Sequence, residues 1–342
     1  MAGLFADNFG WYTKAQMPRY WNGLSSETGT ILLGPYGRSS GTGLRFSGNF
    51  GDFISVDLTG RVSGAKCIGG CDFRISAYHG STNVIFGANE GGSVQWTCYL
   101  NANGTISFYR GLGVGLLGTT TYVVPLNEHI YLNWDVEIGN VGSARLDVWE
   151  DGDASAQVVL NVSGVDTQAT ANATWDAWSF GAASSGTTDY ANAILQDGSG
   201  SYNNARLGPA DVLGPRPFSA GFHQAWAPGA GIDHVTQISE ATSDDDATTL
   251  VATSTGLTET FEFEDAPYPE RQIAFSELIA VAKEAGGGAI ALVARQDVTD
   301  TVGSDQPLTS DYLAYYGCYQ TAPDATPWTP AVWNPMQWGV QS

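Results

Sequence analysis

The sequence predicts an all-β protein built of two β-sandwich domains in tandem, and three observations carry that reading. Glycine is abundant, at 43 of 342 residues, and with Thr, Ser, Asn and the aromatics it favours strands and turns over helices. Alternating apolar stretches recur at intervals of about 8–12 residues between turn signals, the spacing of a sandwich. A break written in Gly and Pro, Gly214-Pro215-Arg216-Pro217, divides the chain into residues 1–213 and 214–342.

The elements follow in order. Residues 44–58 (L-R-F-S-G-N-F-G-D-F-I-S-V-D-L) read as two short strands about a Gly48-Asn49 turn. Phe73, Ile75 and Ala77 share one face of a strand that ends at His79-Gly80, and Val84–Phe86 forms the next. Val94–Leu100 and Thr105–Arg110 are joined by Asn101-Ala102-Asn103-Gly104, a hairpin signal. Gly111–Gly118 reads as a loop or twisted strand; it lacks the Lys-Ser/Thr of a phosphate loop. Between His129 and Ile138, Ile130, Leu132, Trp134, Val136 and Ile138 all face one way. Arg145–Glu150 and Gln157–Val162 pair across Asp151-Gly152-Asp153. Ala274–Ala285 has the propensity of a helix, yet the expected arrangement is a strand hairpinned across Gly286–Gly288 to Ala289–Arg295. Near the end Thr329 reads as an N-cap with Pro330 at the first helical position, a single turn before a final strand.

Charge narrows the partners. The formal net charge is −21, with 10 Lys+Arg against 18 Asp+Glu in residues 1–215 and 4 against 17 thereafter. Such a field repels nucleic-acid phosphates and anionic membranes, so neither nucleic acid nor membrane insertion is expected. There is no apolar run of the length of a membrane span, and Met1–Trp11 does not read as a secretory signal, so assembly in a cytoplasm is expected. Cys67, Cys71, Cys98 and Cys318 are read as buried free thiols. A zinc site from Cys67, Cys71, Cys98 and His79, or a disulfide of Cys98 with Cys67 or Cys71, are the alternatives.

Residues 1–213 resemble the concanavalin A-like, laminin-G-like jelly roll of tailed-bacteriophage virion proteins. The resemblance rests on the order D-N-F-G-W-Y (from Asp7), Ile130–Ile138, L-D-V-W-E-D-G-D (from Leu146), Ala177–Gly181, and a closing D-Y-A-N-A-I-L-Q-D-G-S-G (from Asp189) followed by Leu207-Gly208. Phage members carry two acidic residues at the start of that closing strand. Here Tyr190 replaces one of them beside Asp189, which weakens the case for a metal there. The second segment is similar to the phage domain that often follows, through Trp226-Ala227-Pro228, the acidic Asp244–Asp246, Trp328-Thr329 and Trp338-Gly339-Val340. The resemblance implies a virion location, on tail or head, as a decoration, fibre or spike protein. Its partners would be other copies of itself, as a trimer, other virion proteins, and a host-surface glycan.

Catalytic chemistry is not expected. The glucanases of this shape carry three carboxylates on one strand, and Trp134-Asp135-Val136-Glu137 supplies only two. No G-x-S-x-G, Walker loop or H-E-x-x-H is present. No cofactor is expected. Calcium is the one metal with a candidate turn, Glu150-Asp151-Gly152-Asp153, a pattern that D-G hairpin turns also give. The candidate sugar-binding or interface aromatics are Trp175 and Trp178, which flank a turn-like stretch, and Tyr312, Tyr315, Tyr316 and Tyr319 on one strand. Period-two geometry puts Tyr312 and Tyr316 on one face and Tyr315 and Tyr319 on the other, one for the core and one for a partner. The expected function is thus a non-enzymatic virion component. A carbohydrate-binding, lectin-like receptor-binding protein is the alternative, and a polysaccharide-degrading glycosidase the second alternative.

Overall fold

The apolar alternation of Ile130–Val136 builds a strand near the middle of the first of two compact units, Met1–Val212 and Leu213–Ser342. The division falls one residue before the expected boundary. The computed structural model describes residues 3–24, 31–38, 41–47, 52–151, 153, 155–229, 231, 233–240, 242 and 244–342. The Gly48-Asn49 turn and Gly152 lie outside them.

In chain order the first unit has β1 (Gly3–Asp7), β2 (Gly23–Leu24), β3 (Ile31–Gly34), β4 (Gly43–Ser47), β5 (Phe53–Asp57), β6 (Lys66–Ile75), β7 (Asn83–Glu90), β8 (Ser93–Leu100), β9 (Thr105–Arg110), β10 (Gly115–Val123), β11 (Ile130–Glu137), β12 (Gly142–Glu150), β13 (Gln157–Val165), β14 (Ala177–Gly181) and β15 (Thr187–Gln196). They form two antiparallel sheets, β13-β12-β11-β6-β15-β4-β3 with β1 beside β15, and β10-β9-β8-β7-β14-β5-β2. The unit is a β-sandwich, as the sequence predicts. The β8–β9 hairpin turns at Asn101–Gly104, where Gly104 supplies the φ of +82° that the turn requires. The two strands read from residues 44–58 exist as β4 and β5, but they belong to opposite sheets and do not pair.

The core lies between the sheets. Trp134 of β11 and Trp178 of β14 stack across it, with Phe86 of β7 against both. Glycine makes room for this at the centre of β6. A Cβ on Gly69 would strike the Trp134 ring inside the sandwich, and one on Gly70 would strike the Tyr131 ring on the other face. The opening D-N-F-G-W-Y has a packing role: buried Asp7 accepts from the Phe9 N–H (2.6 Å), the Tyr12 hydroxyl (2.5 Å) and the Trp21 indole (2.8 Å).

The second unit has β16 (Pro217–Gln224), β17 (Ala227–Pro228), β18 (Leu250–Val251), β19 (Thr258–Phe263), β20 (Ser276–Ala282), β21 (Ala289–Gln296), β22 (Thr299–Val302), β23 (Gln306–Pro307), β24 (Leu313–Tyr319), the single-turn helix α1 (Pro330–Trp333) and β25 (Gln337–Gln341). One sheet runs β16-β19-β25-β21-β22 with β23 beside β21; β20 and β24 form a second, and β17 and β18 a third. Leu278 of β20, Leu292 and Ala294 of β21, and Trp338 of β25 share one core with Trp328 and Met336. The segment 276–282 is a strand, in agreement with the sequence reading, but the expected hairpin is corrected. β20 pairs with β24, not with β21, because the apolar faces of β20 and β21 meet the same core from opposing layers. Thr329 caps α1 as expected, its side chain accepting from the Val332 N–H, with Pro330 first in the helix.

Candidate functional site

The first unit carries its chemistry on the outer face of the eight-stranded sheet. Strand residues that alternate with the core set point there, and the register lines them up. Arg45 of β4 lies opposite Asp189 of β15, and Asp189 lies opposite Arg74 of β6. Continuing the antiparallel count from Phe73–Ile130 places His129 opposite Arg74. The result is a cross-strand row, Arg45–Asp189–Arg74–His129, with alternating charge over its first three members.

Asp189 is 1% exposed, and two guanidinium groups partner it. Arg45 grips it with both arms of its guanidinium, Nε to Oδ1 at 2.7 Å and Nη2 to Oδ2 at 2.8 Å, and Arg74 Nη1 reaches Oδ2 at 3.4 Å. The pairing with Asp189 raises the Arg45 pKa. Arg45 also lies over the Tyr36 ring, 4.0 Å from its centroid. Asp189 of the closing motif is therefore an ion-pair residue. Its neighbour Tyr190, where the resemblance leads one to expect a second acid, turns inward and donates to the carbonyls of Ile85 and Gly181.

The next row inward holds Asp72 and Tyr131. Burial pushes the Asp72 carboxyl up to about 6, against the pull of Arg38 at 3.6 Å and of the Asn192 amide at 2.7 Å. Asn192 is left-handed, at φ 49°, in a bulge between Ala191 and Ile194. Burial and Arg74 together lower the pKa of His129, whose Nδ1 is buried without a hydrogen-bond partner. The imidazole is thus neutral near pH 7.

A strap of chain, residues 203–212, crosses the inner rows of this face. Gly208 N–H donates to Asn133 Oδ1 at 3.0 Å, Arg206 pairs with Asp147 at 3.3 Å, Asp211 with Arg38 at 3.7 Å, and Val212 N–H donates to Asn192 Oδ1 at 2.9 Å. Leu207-Gly208, part of the expected closing motif, is the middle of the strap. Outside it Arg45 and Arg74 remain 23% and 28% exposed. What remains open is a pair of guanidinium donors fixed by a buried carboxylate, beside a partly exposed aromatic ring, an arrangement suited to hydrogen-bonding a polar, hydroxyl-rich ligand.

None of these residues was among the aromatics singled out in the sequence. Trp175 and Trp178 are corrected: both are buried, so neither is a platform for a sugar. Trp178 is stacked in the core, and the Trp175 indole donates to the Lys66 carbonyl at 2.8 Å. The tyrosine strand, β24, has the two faces expected. Tyr315 is buried, and Tyr319 packs on the core with its ring 5.1 Å from that of Trp338. Tyr316 lies on the other, as does Tyr312 by continuation one residue before the strand begins, with Lys283 4.3 Å from its ring centroid and its hydroxyl on Asp246 at 2.9 Å. The cysteine set is not gathered around a metal. Cys67, Cys71 and Cys98 are buried core thiols whose pKa values burial raises, no disulfide joins them, and His79 stands in a turn bonded to Ser81. Among the described residues no group of three His, Cys, Asp or Glu is placed to hold a metal. In the Glu150–Asp153 turn, Asp153 accepts from the Glu150 N–H at 3.2 Å, and Glu150 accepts from the Tyr122 hydroxyl at 3.0 Å.

No protein-family model and no curated protein matches the sequence. Solved structures do. An endo-β-1,4-glucuronan lyase from the fungus Trichoderma reesei matches at 12% identity and TM-score 0.43, over 61% of this chain and 100% of its own. An alginate lyase matches at 12% and 0.36, over 56% and 95%. A mutant of Trypanosoma rangeli sialidase matches at 15% and 0.36, over 54% of this chain and 30% of its own. The expectation of a non-enzymatic chain does not stand: two lyases and a sialidase are among the matched structures. The missing carboxylate triplet, on which that expectation rested, speaks to one type of glycosidase only.

Proposed function

We propose that this protein binds carbohydrate on the open rim of its eight-stranded sheet, at Arg45, Arg74 and Tyr36, with the buried Asp189 holding the two arginines from beneath. The observation that supports this reading is the row Arg45–Asp189–Arg74, in which a buried carboxylate and partly exposed guanidinium groups hold one another in place. Sugar hydroxyls accept hydrogen bonds, and the partly exposed guanidinium groups of Arg45 and Arg74 have N–H donors to offer them. Because the ion pairs already fix these side chains, little rotamer entropy is lost on binding. Two guanidinium groups favour a saccharide that carries carboxylate or sulfate. The setting expected from the order of the sequence motifs is the surface of a phage particle, where the ligand would be a host-surface glycan.

The test is a glycan array followed by calorimetry on the intact chain, with Arg74→Ala and Tyr36→Ala beside the wild type and thermal melting as the folding control. Each change is expected to weaken binding at least about tenfold, ~1.4 kcal/mol, with melting little changed. Wild type that binds no saccharide, or two folded variants that bind as well as it does, would remove the proposal. The same ligands should be assayed for cleavage. Locating the chain in a reconstructed particle checks the phage setting.

A further inference from the structure

β10 and β13 are the outermost strands of their respective sheets, and they lie side by side along one edge of the sandwich. A Cβ on Gly118 of β10 would stand 2.8 Å from Leu160 and 3.3 Å from Val162 of β13. The stretches that form this edge, residues 111–127 and 155–165, number 17 and 11 and contain no Asp, Glu, Lys or Arg. At 14% charged residues chain-wide, about four would be expected. Charge returns only at the ends, where Arg110 pairs with Asp166 and Glu150 accepts from Tyr122. The same edge exposes Leu112, Val114 and Leu116, at 62%, 83% and 58%, together with Val123 and Val158.

We propose that this edge docks a second copy of the chain. A molecule of net charge −21 repels its own copies, and that repulsion is weakest where two surfaces without charge meet. An edge of Leu, Val and Thr is complementary to itself, since it carries no sign to mismatch. A partner chosen by charge would find nothing there to pair with. Outer strands without charge are also the unguarded kind that associate. The β10 register breaks between Leu116 and Gly118 and between Thr119 and Val123, so the contact is made by side chains and not by a continued backbone ladder.

The experiment is sedimentation equilibrium of the intact chain over a concentration series, at low and high salt. The wild type should associate, more strongly in high salt, because screening removes the repulsion and leaves the apolar contact. Val114→Glu combined with Leu116→Glu should weaken association at least tenfold without lowering the melting temperature, both side chains being exposed. Leu116→Lys reduces the net negative charge and should still weaken association, which separates loss of the apolar edge from added repulsion. A wild type that is monomeric at about 100 µM overturns the proposal. So does association that salt weakens, or folded variants that associate as the wild type does.

Discussion

Trp134 and Trp178 face each other across the first sandwich, with ring centroids 4.7 Å apart and planes 3° from parallel. They come from opposite sheets and both are fully buried, so the pair fastens one layer to the other. Trp178→Ala should cost about 3–5 kcal/mol, because the transfer energy of the ring is lost and a cavity is left beside Trp134 and Phe86. Urea unfolding of the variant checks this; a loss below about 1 kcal/mol would show that the stack is not what joins the sheets.

Asp72 makes the first unit sensitive to pH. Its carboxyl is raised in the folded state, to about 6 from 3.8, because burial penalises the charge. The favourable protonated form is complete below about pH 4, and its contribution is lost as pH rises through about 6. Asp72→Asn removes that dependence. Relative to wild type, the variant should gain about 3 kcal/mol between pH 3 and pH 8. Melting curves across this range would count against the account if the gap between the two proteins stayed constant.

The two faces of β24 should separate by stability. Burial pushes the Tyr319 hydroxyl up to about 12 and its ring lies on Trp338, so Tyr319→Ala should cost about 3 kcal/mol or more. Tyr312 rests on Lys283 and Asp246 at the surface, so Tyr312→Ala should cost less than about 1 kcal/mol. Equal losses from chemical denaturation would mean that both faces are covered within the unit.

Most strands were legible because each needs only its own alternation. Ile130–Val136 declares its buried face through Ile, Leu, Trp and Val at every second place, and Thr329-Pro330 declares a helix start in two residues. Pairings were less legible. Ser276–Ala282 was readable as a strand, but its layer was fixed by contacts with Leu292 and Trp338, which local pattern does not encode. The rim was hidden for the same reason. Arg45, Arg74 and Asp189 are separated by 115 to 144 residues along the ion pairs they form, and only the register of β4, β15 and β6 assembles them. The available signal was the complement of the core pattern. Asp72 and Arg74 flank Phe73 on a strand that is buried from Cys67 to Phe73 and again at Ile75, and charge so placed asks for a partner. Tryptophans near a turn pointed the other way, because indole rings serve cores as readily as binding sites.

The strap over the sheet has a mechanical consequence. Its bonds to Gln196, Asp147, Asn133, Arg38 and Asn192 are spaced along residues 203–212, each made by a side chain and none part of a strand ladder. Tension on the chain from Leu213 would meet them one at a time before it was carried along the backbone into the end of β15. The strap is therefore a fuse that yields before the sandwich does. A force–extension trace should show an early, low-force lengthening of less than about 35 Å, the reach of ten extended residues less the span the strap already covers, ahead of the main rupture. A trace with no such step would mean that the strap and the sandwich give way together.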